Sequence, residues 1–248
     1  MSFITDPWFY AVAIPAVFLT GLSKSGFATG IGALSVPLLA LVIPVPQAAA
    51  VMMPLLLLAD LIGLRVFRRE FDKKLLRFIV PFGLVGIGIG TLTFKLMSSH
   101  LVAGCVGVFT LLFLAQQLFF PPKVSSNPPP RWLGAILVTL SGFTSFIAHA
   151  GAPPMNAYAL PLKLKPMVFA ATLAYFYFFI NLSKWIPYAY LGLLDLRNFW
   201  TAFLLMPIAG FGVWAGRKMA ERMSPKMFYR LIYVGMFLSG SKLLWDAF

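Results

Sequence analysis

The sequence predicts an all-α polytopic membrane protein made of two inverted-topology repeats, each a broken, hairpin-like helix pair followed by three transmembrane helices. Three observations carry this expectation: a very apolar composition, short segments that come in pairs around glycine-rich breaks, and basic loops that gather on one side. Of 248 residues, 60% are hydrophobic and 11% charged, and the mean hydropathy is +0.88. A soluble domain carries roughly 25% charged residues, so lipid is the solvent here. The net charge of +13 would suggest nucleic acid in a soluble protein. In a membrane protein it is read by position, because cytoplasmic loops collect Lys and Arg, and no nucleic-acid partner is expected. One Cys excludes an intrachain disulfide, and two His without a Cys pair give no structural zinc site and no implied cofactor.

In chain order, the first apolar segment covers 8–22. The first 23 residues hold no Lys or Arg, so the basic start of a cleaved signal is missing and the segment is expected to stay. The break Gly21-Leu-Ser-Lys-Ser-Gly26 separates it from a second short segment, 27–43. Segments 47–66, 75–95 and 100–120 each reach the roughly 20 apolar residues that a crossing needs. The Pro-rich stretch 121–130 cannot be helix. Beyond it come 132–148 and 151–160, short again, with a break from Ser141-Gly-Phe-Thr-Ser145 to His149-Ala-Gly151. Segments 166–190, 198–216 and 227–246 are full crossings. The expected division is a first repeat at 1–122, a linker at 123–130 and a second repeat at 131–248, forming one membrane unit. Paired, interrupted short segments in corresponding halves point to a transporter binding site.

The halves correspond residue by residue. Leu19-Thr-Gly21 matches Leu140-Ser-Gly142, Gly30 matches Gly151 and Asp60 falls on Asn181, all 121 positions apart. Pro81, Gly86 and Gly90 match Pro207, Gly212 and Gly216 in the same spacing. If each short pair returns to the side it came from, loops 65–77, 123–131, 163–165 and 217–230 share one side, with fifteen of the 20 Lys and Arg. Straight crossings would split these loops between the two sides, against the positive-inside rule. Hairpins give inverted repeats, with both termini outside and loops 65–77, 123–131 and 217–230 cytoplasmic.

Lys24 lies in the first break between Ser23 and Ser25, with Gly26 and Gly30 beyond. A lysine facing lipid costs about 2.5–3.5 kcal/mol, so Lys24 faces a cavity, an acid or an anion, or snorkels from a hairpin tip. Serine hydroxyls donate to anions, glycines allow close backbone approach, and a helix that starts at a break aims unpaired N–H groups into the gap. Ser145, His149, Gly151 and Asn156 occupy the second break and its sequel. His149 suits an anion contact, a proton relay or a satisfied interior donor. Tyr177, Asn181, Lys184 and Tyr188 share one helical face. That stripe fits either an oxyanion with a flat organic group, or an aromatic belt with Lys184 snorkelling outward. Asp60 is the one carboxylate well inside a crossing, a candidate proton carrier or a structural partner for Lys24 or Arg65. The glycines Gly83, Gly86, Gly88 and Gly90 are read as close helix packing.

The run Gly21-Leu-Ser-Lys-Ser-Gly-Phe-Ala-Thr-Gly-Ile-Gly-Ala-Leu-Ser-Val-Pro37, followed by Pro-x-Gln-Ala-Ala and a basic loop, resembles the first repeat of the TauE/SafE sulfite exporter family. His149-Ala-Gly151-Ala-Pro-Pro154 and Asn181-x-x-Lys184 resemble its second repeat. Ala28-Thr29 departs from it, standing where many relatives have glycines. The resemblance spans roughly 15–246 and implies a multi-pass permease of the bacterial inner membrane for sulfite, organosulfonates or other small anions, in contact with lipid. The expected site lies between the two breaks near the bilayer midplane, reached by rocking of the repeats. The tyrosine stripe tilts the expected substrate toward an organosulfonate, including aryl sulfonates, over sulfite. Two His, one buried Asp and no His-rich or Cys motif offer no clustered catalytic groups for a membrane enzyme. A channel and a subunit of a larger complex remain as alternatives.

Overall fold

A computed structural model describes residues 3–24, 31–66, 71–119, 129–222 and 225–248. Among these the chain is helical throughout, with no strand. Helix α1 (Pro7–Lys24) is followed by a 3-10 turn (Ile31–Leu34) and the short α2 (Ser35–Leu39). Then come α3 (Val45–Val66), α4 (Lys73–Phe94) and α5 (Ser99–Phe119). The second half runs through α6 (Arg131–Ala148), α7 (Ala152–Ala159) with a 3-10 turn (Leu160–Leu162), α8 (Pro166–Ser183), α9 (Trp185–Tyr190), α10 (Leu196–Arg222) and α11 (Pro225–Trp245). Among the described residues six stretches are long and apolar enough to cross a membrane: Val45–Arg65, Lys73–Phe94, His100–Phe119, Arg131–Ala148, Met167–Tyr190 and Leu196–Ala215. The chain is a multi-pass membrane protein.

Three details differ from the sequence expectation. The segment 227–246, read as a full crossing, forms α11 but is not among the six stretches long and apolar enough to cross. The segment 132–148, read as short, forms an 18-residue helix, about 27 Å long, which spans most of a hydrocarbon core. The segment 166–190 is not one smooth helix but hitches at Lys184. The cause is Pro187, which has no N–H and whose ring crowds the carbonyl one turn back. Tyr188 N still donates to Lys184 O at 2.9 Å, so the crossing continues through the hitch.

Lipid and core faces separate cleanly. Leu84, Val85, Ile89 and Leu92 of α4, and Phe203, Leu204, Phe211 and Trp214 of α10, stand exposed. Such an apolar surface would precipitate a soluble protein. The core is filled by Ala, Val and Met of α3, the most buried of the six spans, with Phe9, Phe146 and Phe176 against it. The ends start with local caps: Asp72 accepts from Lys74 N and Leu75 N at the head of α4.

The halves exchange partners. Helix α1 packs on α10, and α6, its counterpart, packs on α4, the counterpart of α10. Helix α3 meets α8, and α5 meets α11. Glycines hold these crossings. A Cβ at Gly212 would come 2.6 Å from Phe18 O and also meet Gly21. A Cβ at Gly86 would overlap Thr139 O and meet Gly142. Gly21 with Gly212, and Gly142 with Gly86, are the residues that matched between halves in the sequence. Gly83 and Gly90 also pack closely, as expected, whereas Gly88 faces open space.

Candidate functional site

The polar groups converge where α1 and α6 end inside the protein. Helix α1 carries Lys24 in its last turn. Helix α6 is capped by His149 in the left-handed conformation, φ 52°, a backbone shape uncommon for a side-chain-bearing residue. The strained cap is held on both ring nitrogens. His149 Nε2 lies 2.9 Å from Ala49 O, which only accepts, so Nε2 carries the proton and Nδ1 is an acceptor. Lys184 Nζ then donates to Nδ1 at 3.0 Å.

One continuous chain of bonds links the halves. Lys24 Nζ pairs with Asp60 Oδ1. Asp60 Oδ2 accepts from Asn181 Nδ2 at 2.5 Å. Asn181 Oδ1 accepts from Lys184 Nζ at 2.8 Å. Lys184 Nζ also donates to Ser145 O at 2.8 Å, and lies 2.8 Å from Ser145 Oγ. Ser145 O, Asn181 Oδ1 and His149 Nδ1 are three acceptors placed to receive the three hydrogens of an ammonium. Asp60 and Asn181, the matched residues 121 apart, are thus hydrogen-bonded to each other at the centre of the molecule.

A cavity of ≈ 120 Å³ opens over this chain. Of the residues singled out from sequence, Ser23, Lys24, Asp60, Ser145, His149, Asn156, Tyr177 and Asn181 line it. The Tyr177 ring lies 5.2 Å from Lys24 Nζ, a cation–π contact. The Tyr177 hydroxyl is buried near Ser141 without a well-formed hydrogen bond. Asn156 Oδ1 is likewise buried and unpartnered; turned over, the amide presents its NH2 instead.

Three expected contacts lie elsewhere. Lys184 is fully buried beneath the cavity floor and does not line it, and it snorkels nowhere. Tyr188 is also buried and donates to Phe146 O at 2.8 Å, so it joins neither a binding face nor an outer belt. Gly151 accepts from Ser141 Oγ at 2.6 Å and holds α7 against α6. The expected N–H cluster at the second break is thin, because Pro153 and Pro154 have no N–H and leave Ala152 to donate. Ser25, Gly26 and Gly30 lie outside the described residues. Sequence reasoning missed the apolar wall, which Leu56, Ala59, Phe169 and Leu173 supply, and Thr20 beside the first break. Thr20 alone had a signal, its place next to Gly21.

Lining residues run along α3 to Gly63 and along α8 back to Phe169. Nearby, Asp72 N donates to Thr172 Oγ1 at 2.9 Å, so these ends of α3 and α8 adjoin the segments that carry Arg65, Lys163 and Lys165. On the other side, Gln47 Nε2 donates to Asn198 Oδ1 at 3.2 Å, His149 bonds Ala49 O, and Tyr188 packs edge-on against Phe146.

Among the described residues no cluster of His, Cys, Asp or Glu could hold a metal ion. No curated protein and no solved structure matches the chain. A family model, "Sulfite exporter TauE/SafE", matches residues 13–243, nearly the whole chain. That family implies a membrane exporter of sulfite or a related small anion, in keeping with a lysine-floored cavity in a multi-pass helical protein. The chain belongs to the TauE/SafE sulfite exporter family.

Proposed function

We propose that this protein is a secondary transporter of the bacterial inner membrane that carries an organosulfonate by alternating access. The observation that supports the substrate is the cavity's two-sided lining. Lys24, Ser145, Asn156 and Asn181 offer charge and hydrogen bonds, while Leu56, Phe169, Leu173 and the Tyr177 ring face them with apolar surface. A sulfonate head with an organic tail satisfies both sides, whereas sulfite leaves the apolar wall against water. Sulfite or another small anion is the alternative reading, favoured by the family's name.

Alternating access is supported by a cavity whose lining runs along α3 and α8 toward the basic segments, with a bond between the halves, Gln47 to Asn198, on the other side. With the basic loops 65–77, 123–131 and 217–230 cytoplasmic and both termini periplasmic, that lining runs toward the cytoplasm. The exchanged partners of α1 and α6, and the Asp60–Asn181 contact between matched positions, support inverted repeats about an axis through that contact. Proton coupling through Asp60 or His149 would require their present bonds to open during the cycle, since both carboxylate oxygens and both ring nitrogens are engaged.

The test is thermal melting of the purified protein against sulfite, sulfate, thiosulfate, taurine, sulfoacetate, an aryl sulfonate and matching carboxylates. A ligand that binds the folded state raises the melting temperature as its concentration passes Kd. A selective rise with an organosulfonate, lost in Lys24→Ala, is expected. A rise with sulfite alone selects the alternative, and no rise at millimolar concentration overturns the anion reading.

A further inference from the structure

Three charged side chains lie at or beneath the cavity floor, and their sum fixes what it can accept. Lys24 and Asp60 cancel as a pair, with the Asp60 side chain 1% exposed. Lys184 is an ammonium by its three acceptors, and His149 is neutral because Nδ1 accepts while Nε2 donates. One positive charge remains uncompensated. The next cations along the lining helices, Arg65 and Lys165, are exposed at the helix ends, where water and salt screen them. An unpaired buried charge is costly, so the empty floor favours a ligand that supplies one negative charge.

Resting on the anion-carrier reading above, we infer that Asp60 is a fixed counter-charge that sets the valence of the carried anion at one. A monoanionic sulfonate brings the floor to neutrality. A tetrahedral dianion overshoots it and meets the Asp60 carboxylate at short range. The role also follows from the duplication. The matched position in the second half is Asn181, an amide of the same shape. The carboxylate is thus the one point at which the Asp60–Asn181 contact departs from symmetry in charge. Asp60 acts as a specificity-determining residue: it holds Lys24 in place and subtracts one charge from what the ligand meets.

Methanesulfonate and sulfate are nearly the same size and differ by one charge, so they are the probes, titrated into the purified full chain in detergent. Wild-type protein is expected to bind methanesulfonate at least about tenfold more tightly than sulfate. A unit charge about 5 Å away, at an effective dielectric near 20, exceeds a tenfold effect. Asp60→Asn is expected to shift the ratio toward sulfate by at least about tenfold. Lys24→Gln combined with Asp60→Asn restores the original charge sum, and the preference for the monoanion returns, with weaker binding of both. Should Asp60→Asn fail to fold, the wild-type ratio still decides. Equal binding of the two probes by wild type, or an unchanged ratio in Asp60→Asn, overturns the valence rule while leaving the carrier reading in place. Binding of neither probe nor any longer sulfonate overturns both.

Discussion

Lys24 and Lys184 look alike in sequence, each a cation inside an apolar segment, yet they have opposite roles. Lys24 keeps 22% of its side chain exposed, lies over Tyr177 and lines the cavity, so it is placed to meet a ligand. Lys184 has no exposed surface and ties α8 to Ser145 and His149 of the second break. Replacing Lys184 with Met removes one cation and leaves Ser145 O, Asn181 Oδ1 and His149 Nδ1 without its hydrogens. Each buried unsatisfied group costs about 1–3 kcal/mol, so Lys184→Met is expected to destabilise the fold by more than about 3 kcal/mol. A melting curve without ligand checks this, and a variant as stable as wild type would remove Lys184 from the structural frame. Tyr177→Phe is expected to change ligand-free stability by less than about 1 kcal/mol, because the hydroxyl makes no well-formed bond. Its effect should show as a smaller sulfonate-induced rise in melting temperature, since a buried, unpartnered hydroxyl beside the cavity is available to a bound oxyanion.

Helix crossings follow from glycine placement, which gives the sharpest contrast at the scale of an element. Gly86 and Gly88 are two residues apart on α4, but Gly86 is pressed on the α6 backbone and Gly88 faces outward. Gly86→Ala is expected to destabilise by at least about 1–3 kcal/mol through forced separation of α4 and α6. Gly88→Ala is expected to be neutral or to stabilise by up to about 1 kcal/mol, the helix propensity gained. Comparative melting of the two variants reads the difference, and equal effects would mean that α4 and α6 do not cross at Gly86. This contrast also marks what sequence could show of the elements. The matched Pro and Gly spacings pointed to the packing glycines as a group. Hydropathy could not separate Gly88 from Gly86, nor Leu56 and Leu173 of the cavity wall from Leu84 facing lipid. Lipid tails are as apolar as the protein interior, so both faces of a crossing helix are written in the same residues.

At the scale of the whole molecule, charge marked the centre and symmetry linked it. Lys24, Asp60, Asn181 and the second break were legible because polar groups in an apolar chain have few places to go. The Lys184 anchor was not, since two of its acceptors depend on how α6 ends: a carbonyl at Ser145 and a ring turned by the left-handed His149. Carbonyls such as Ser145 O and Ala49 O leave no trace in side-chain identity. On the carrier reading proposed above, the cavity must open alternately to the two sides. A bond between the halves runs from Gln47 at the head of α3 to Asn198 at the head of α10. Rocking of one repeat against the other, as proposed, would part these two positions. Cysteines at Gln47 and Asn198, in a Cys105→Ser background, bridged by a short bis-maleimide, are therefore expected to stop sulfonate flux in proteoliposomes. The same cross-linked protein in detergent is expected to keep its sulfonate-induced melting shift, because neither position lines the cavity. Loss of flux with retained binding is the signature of a gate. Undiminished flux through cross-linked protein would show that the helix heads stay together throughout the cycle, and that the far side opens by some movement other than separation of α3 from α10.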